Sequence, residues 1–130
     1  GELIRENYLY KNVKHWFDAG VAFYPSCGKQ KLLMPVVVLI GELDEWVSST
    51  NCKMWKNRDP EQIASGMLQI FIYKNAHHGF NRELFKKLVR STKQNHDYVG
   101  RASQYNEEAD KDSEIKMIEF FEKKLKLQLR

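Results

Sequence analysis

Two cysteines, three prolines and no apolar stretch longer than the nine residues from Leu32 to Ile40 set the first limits on this chain of 130 residues. Nine residues cannot cross a bilayer, which takes about 20. No charged-then-apolar leader with a small-residue cleavage site opens the chain. The expectation is a soluble, cytoplasmic protein with no membrane partner. Cys27 and Cys52 lie 25 residues apart with no CxxC pair and no ligand-like histidine spacing around them. They make neither a disulfide framework nor a metal site, so reduced thiols acting as small buried hydrophobes are expected; one disulfide between them is the open alternative. Histidine pairs of the H-E-x-x-H type are missing too, and no cofactor or metal is expected. A basic stripe with interleaved aromatics is lacking as well, which excludes nucleic acid as a partner. The net charge of +4 and pI of 9.0 come from lysines scattered among acids, as in Glu119-Phe120-Phe121-Glu122-Lys123-Lys124. That is the pattern of a solvated helix face. With no low-complexity segment and no linker, residues 1–130 are read as a single domain.

What is present is an ordinary globular composition, 42% hydrophobic and 29% charged, in alternating strand and helix signals. Leu3 to Phe17 carries Ile4, Leu9, Val13 and Trp16 at spacings that roughly fit one helical face. Ala19 to Tyr24 reads as a short buried strand stopped by Pro25. Pro35-Val36-Val37-Val38-Leu39-Ile40 is a continuous β-branched run, the mark of a parallel strand covered on both faces. Only ten residues, Pro25 to Met34, separate the two, fewer than a usual crossover, so a single turn or an extended loop is expected there. Ser48 to Asn57 fits a helix capped by Ser48 or Ser49, and Asp59-Pro60-Glu61 opens a turn or a second short helix. Leu68 to Tyr73 is the third strand. Asn81 is expected to cap a helix from Arg82 to Val89, Ser91 to Ser103 to be loop, and Asn106 to open a long terminal helix. There Ile115, Ile118, Phe121 and Leu125 form the stripe expected to pack on the sheet. The order implies an α/β fold with a mainly parallel sheet of about three strands flanked by helices. The edge beside Ala19 to Tyr24 would be left open, to be covered by another chain, the N-terminal helix or residues outside the sequence.

The chemistry gathers at two strand ends. Gly41-Glu42-Leu43-Asp44 and Ala76-His77-His78-Gly79-Phe80 each follow a buried run, and open α/β sheets collect their functional groups at the carboxyl ends of strands. Asp44 can accept the Nδ1 hydrogen of a histidine and hold the ring so that Nε2 acts as a base; read alone, it is a turn aspartate bonding its own backbone. Adjacent parallel strands would bring acid and imidazole within reach, with His77 and His78 both eligible. Acid before histidine is the chain order of an α/β-hydrolase triad whose nucleophile comes first. No glycine-flanked nucleophile turn exists in the sequence: Cys27 follows Pro25 by two residues and Ser65 follows Ile63.

Four blocks together carry a resemblance. Ala19 to Cys27, Pro35 to Trp46, Tyr73 to Phe80 and Tyr105 to Ala109 resemble successive blocks of the dienelactone hydrolase family of α/β-hydrolases, over about Ala19 to Leu125 and roughly the C-terminal half of a family domain. The resemblance implies Asp44 as triad acid and His78, directly before the glycine, as triad base. It places the nucleophile, a cysteine or serine in a Gly-x-Cys/Ser-x-Gly elbow, before residue 1. Ser48 stands where such sequences often carry proline. The function implied is hydrolysis of a small ester or lactone, with these 130 residues inactive alone. The alternative is a non-catalytic α/β interaction domain that dimerises through the open sheet edge. Pairing with a missing N-terminal half is the other partner expected.

Overall fold

A computed structural model describes residues 18–28, 30–92 and 99–126; the helix expected over Leu3 to Phe17 lies outside them. Three parallel strands form the sheet in the order β1, β2, β3: β1 is Gly20–Phe23, β2 Val36–Gly41 and β3 Leu68–Tyr73. Strand β2 is central and wholly buried. Its side chains alternate, as the two-residue strand period requires. Val36, Val38 and Ile40 face a cluster with Cys52, Trp55, Leu68 and Ile70, while Val37 and Leu39 face Ala76, Phe80, Ala109 and Phe120. A run that is apolar at every position is therefore what a strand between two helical layers demands.

One layer is built by α1 (Ser49–Arg58) and α2 (Pro60–Ala64). Ser48 is the cap of α1, accepting from the Asn51 amide at 3.1 Å, and Asp59 caps α2. The other layer is α3 (Glu107–Lys124), capped by Asn106, whose side chain accepts from the Ala109 amide at 2.9 Å.

No helix occurs among the described residues between β1 and β2. The extended connection is held by side chains instead. Gln62 accepts from the Leu32 amide and donates to the Gln30 carbonyl, both at 2.8 Å, meeting backbone groups that a crossover helix would have satisfied internally. A disulfide joins Cys27 in this loop to Cys52 on α1, with Cα atoms 5.0 Å apart. The thiols expected to be reduced are thus paired, because the fold brings a loop and a helix distant in sequence side by side.

Two further expectations are corrected. Arg82 to Val89 is not a helix: it holds one 3-10 turn, Glu83–Phe85, and then β4, Val89–Arg90. Strand β4 pairs antiparallel with β5, Ala102–Ser103, so the segment expected to be all loop contains a strand. Asn81 caps nothing; its carbonyl oxygen accepts from the Tyr24 hydroxyl at 2.9 Å. On α3 the buried residues are Ala109, Ser113 and Phe120, whereas Ile115 and Ile118 are 51% and 43% exposed. The helix packs on the sheet as expected, by a neighbouring stripe.

Candidate active site

The acid and the imidazole are brought together by backbone. Strands β2 and β3 run in register to their last pair, Gly41 with Tyr73, so the turns that follow start level with each other. The Glu42 amide donates to the Tyr73 carbonyl at 2.8 Å and the Leu43 amide to the Ala76 carbonyl at 2.9 Å, extending the contact past the sheet. Gly41 makes this approach possible: a Cβ there would overlap the Ala76 carbonyl oxygen.

Asp44 is reached three residues after Gly41. Its Oδ1 accepts from the amides of Trp46 and Val47 at 2.7 and 2.8 Å. Its Oδ2 lies 2.9 Å from His78 Nδ1. The turn role and the pairing role therefore coexist, one oxygen for each. The Asp44 side chain is fully buried while that of His78 keeps 24% of its surface open. Since a carboxylate only accepts, Nδ1 carries the hydrogen, and in the neutral ring Nε2 then presents the lone pair.

The partner of Asp44 is His78 and not His77. The loop that sets His78 turns at Gly79, whose φ of +71° suits glycine, with the Phe85 ring against the space a side chain would need. The Gln104 amide donates to the His78 carbonyl at 3.2 Å, and a bridge joins His78 to Ser103. The β4–β5 ribbon that replaces the expected helix thus braces the imidazole loop.

Two aromatic rings that the sequence did not single out for this role pack on the imidazole. Tyr24, at the end of β1, lies 4.3 Å from it between centroids and tilted by 52°. Trp46 stacks on it at 5.4 Å and 27°. Tyr24 has a φ of +39°. Burial raises the pKa of its hydroxyl, the Arg82 charge opposes that, and the Asp44 charge adds to it. The sequence signal was an aromatic at a strand's carboxyl end, directly before a proline and two residues past an acid respectively. Arg101 closes the rim by donating to the Trp46 carbonyl at 3.3 Å.

Chemically, the arrangement pairs a buried carboxylate with a partly open imidazole. Cys27 is in the disulfide and Ser65 ends α2. Among the described residues no group of His, Cys, Asp and Glu could hold a metal ion, and no helix is long and apolar enough to cross a membrane.

The profile of the dienelactone hydrolase family matches residues 8–125. A crystal structure from Klebsiella pneumoniae subsp. pneumoniae, of a protein assigned as a dienelactone hydrolase, is similar with a TM-score of 0.59 and 22% identity. The similarity covers 88% of this chain and 46% of that one, so the chain spans about half the length of that relative. At this identity the likeness speaks for the fold. No curated protein sequence is significantly similar to the chain.

Proposed function

The chain belongs to the dienelactone hydrolase family, and from that premise we propose that it supplies the acid and base of a carboxylic ester or lactone hydrolase, Asp44 and His78, to a nucleophile outside these residues. The observation that carries this reading is the 2.9 Å contact between Asp44 Oδ2 and His78 Nδ1, on an imidazole that keeps 24% of its surface open.

In this mechanism the hydroxyl or thiol of an elbow residue attacks the ester or lactone carbonyl while His78 Nε2 takes its proton. Asp44 holds the tautomer and stabilises the imidazolium that forms. Collapse of the tetrahedral intermediate breaks the acyl–oxygen bond, and the proton passes from Nε2 to the departing alkoxide. Water then attacks the acyl-enzyme with His78 again as base, releasing the acid and restoring the nucleophile. Backbone amides near the elbow would hold the oxyanion.

The β1 edge suits this division of labour. Among the described residues β1 pairs with β2 alone, which fits a further strand on its outer side. A strand from an N-terminal half is the partner proposed there; edge pairing between two copies is the second reading.

The test is hydrolysis of p-nitrophenyl acetate by the longest polypeptide encoded with this segment. Replacing Asp44 by Asn or His78 by Ala is expected to lower kcat by about 10³ to 10⁴. Unchanged turnover in both would overturn the assignment.

A further inference from the structure

Building on the Asp44–His78 pairing, we propose that Tyr24 is a positioning residue that fixes the plane of the His78 imidazole, anchored through its hydroxyl to Asn81 on the same loop.

One hydrogen bond does not orient a ring. The contact from Asp44 Oδ2 to Nδ1 fixes one atom of the imidazole and leaves rocking about that contact open. The Trp46 ring, stacked at 27°, limits that motion, but Trp46 sits on the acid's own turn and moves with Asp44. Tyr24 comes from a third strand end. Its ring is the nearer of the two, at 4.3 Å. Its hydroxyl donates to Asn81 Oδ1 at 2.9 Å, three residues beyond the histidine it contacts. The Tyr24 amide donates to the Leu39 carbonyl at 2.7 Å, tying the residue to the central strand. Tyr24 therefore links β1 and β2 to the imidazole loop through one rigid side chain.

The backbone supports a purposeful placement. A non-glycine residue at φ +39° is in a sparsely populated region whose cost persists only where surroundings enforce it, and such residues cluster at functional sites. Here the strained residue is the one whose ring meets the base. Phe80, 5.8 Å from Tyr24 between centroids, fills the space beneath and prevents the tyrosine from swinging inward.

The test reads the ring itself by ¹⁵N–¹H NMR of the imidazoles, on this chain, in wild type, Tyr24→Phe, Asn81→Ala and the double variant. In wild type, His78 is expected to be protonated at Nδ1 with a slowly exchanging hydrogen. Tyr24→Phe and Asn81→Ala should each speed that exchange about fivefold, the factor set by loss of one ordinary hydrogen bond. The double variant should go no further, because both remove the same anchor. Asn81 is half-buried, so its truncation keeps the fold should the tyrosine variant lose it. Unchanged exchange in Asn81→Ala, effects that add in the double variant, or a loss of stability without faster exchange would each overturn the proposal. A wild-type ring protonated at Nε2 would overturn the pairing with Asp44 and this inference with it, which separates the two failures.

Discussion

Gly41 and Ala76 meet backbone to backbone, and that contact sets the separation of the acid and base turns. Gly41→Ala would push a methyl group into the Ala76 carbonyl, where neither side can yield without breaking the hydrogen bonds that the Glu42 and Leu43 amides donate across the gap. A loss of roughly 1–3 kcal/mol is expected from overpacking alone, with the Nδ1 hydrogen of His78 exchanging faster; urea unfolding and NMR check the two effects. Asp44→Ala has a different expected signature. It strands the Trp46 and Val47 amides that the buried carboxylate accepts from. Removing an acceptor from groups of this kind costs about 1–3 kcal/mol each, so a loss of roughly 2–6 kcal/mol should appear in denaturant unfolding. Asp44→Asn, which keeps one acceptor oxygen for those amides, should lose clearly less while still altering the histidine. An equal loss in both variants would remove the structural half of the argument.

At the scale of elements, α3 is tied down by two tyrosines. Tyr73 on β3 donates to Asp112 at 2.8 Å, and Tyr105 donates to Asp110 at the same distance. The Asp110 bond, with lesser help from desolvation and nearby acids, holds the Tyr105 hydroxyl up to about 12. Burial and then the Asp112 bond push Tyr73 higher still. A phenol whose folded pKa exceeds its unfolded value of about 10 stabilises fully below that pH and loses the contribution as pH rises through the folded value. Stability is therefore expected to fall between about pH 10 and 12, and Tyr105→Phe should flatten part of that fall, as measured by urea midpoints. The disulfide is the second tie. Closing a loop of 25 residues should contribute roughly 3 kcal/mol, read as a shift in urea midpoint between oxidised protein and protein treated with reductant.

The same elements show what was legible in the residues. The strands over Val36–Gly41 and Leu68–Tyr73 were plain because β-branched runs have few other uses, and Ser48 and Asn106 were plain because caps are local chemistry. The helix expected after Asn81 failed because Asn81 is claimed by Tyr24, and because the Phe85 carbonyl accepts from the Tyr105 amide at 2.7 Å; both partners are remote in sequence. The buried stripe of α3 was misread since Ile115 and Ile118 are more apolar than Ala109 and Ser113, whereas a close approach to the sheet selects the small side chains. The disulfide stood only as the alternative to reduced thiols because a separation of 25 residues says nothing of distance in space. An acid and an imidazole could be brought together in advance since parallel register is implied by two buried runs, and the family resemblance chose His78 over His77, but the aromatic packing around them could not be read, as it depends on β1 ending beside both turns.

For the whole molecule, the proposed division of labour, with acid and base in this chain and the nucleophile outside these residues, has a direct consequence. If nucleophile and oxyanion donors lie outside these residues, as proposed, the chain alone is expected to give no hydrolysis of p-nitrophenyl acetate above the His78→Ala background. A rate dependent on both Asp44 and His78 would overturn that expectation. On the proposed reading a complementing strand, or a second copy, adds to the outer side of β1 and should appear as an increase in mass by size-exclusion chromatography with light scattering; Val21→Pro should abolish it, since the Gly20 and Tyr24 amides donate to the β2 side and that of Val21 alternates to the outer one.

The parallel ladder that runs level to Gly41 and Tyr73 also acts as a ruler. Inserting one residue into β2 would carry the carboxylate about 3.3 Å along the strand axis and turn every following side chain to the opposite face. Exchange of one β-branched residue for another leaves the measure intact. Over 36–41 and 68–73, therefore, the tolerated changes are changes of identity, and a gain or loss of length in either strand disconnects acid from base even when each strand still folds.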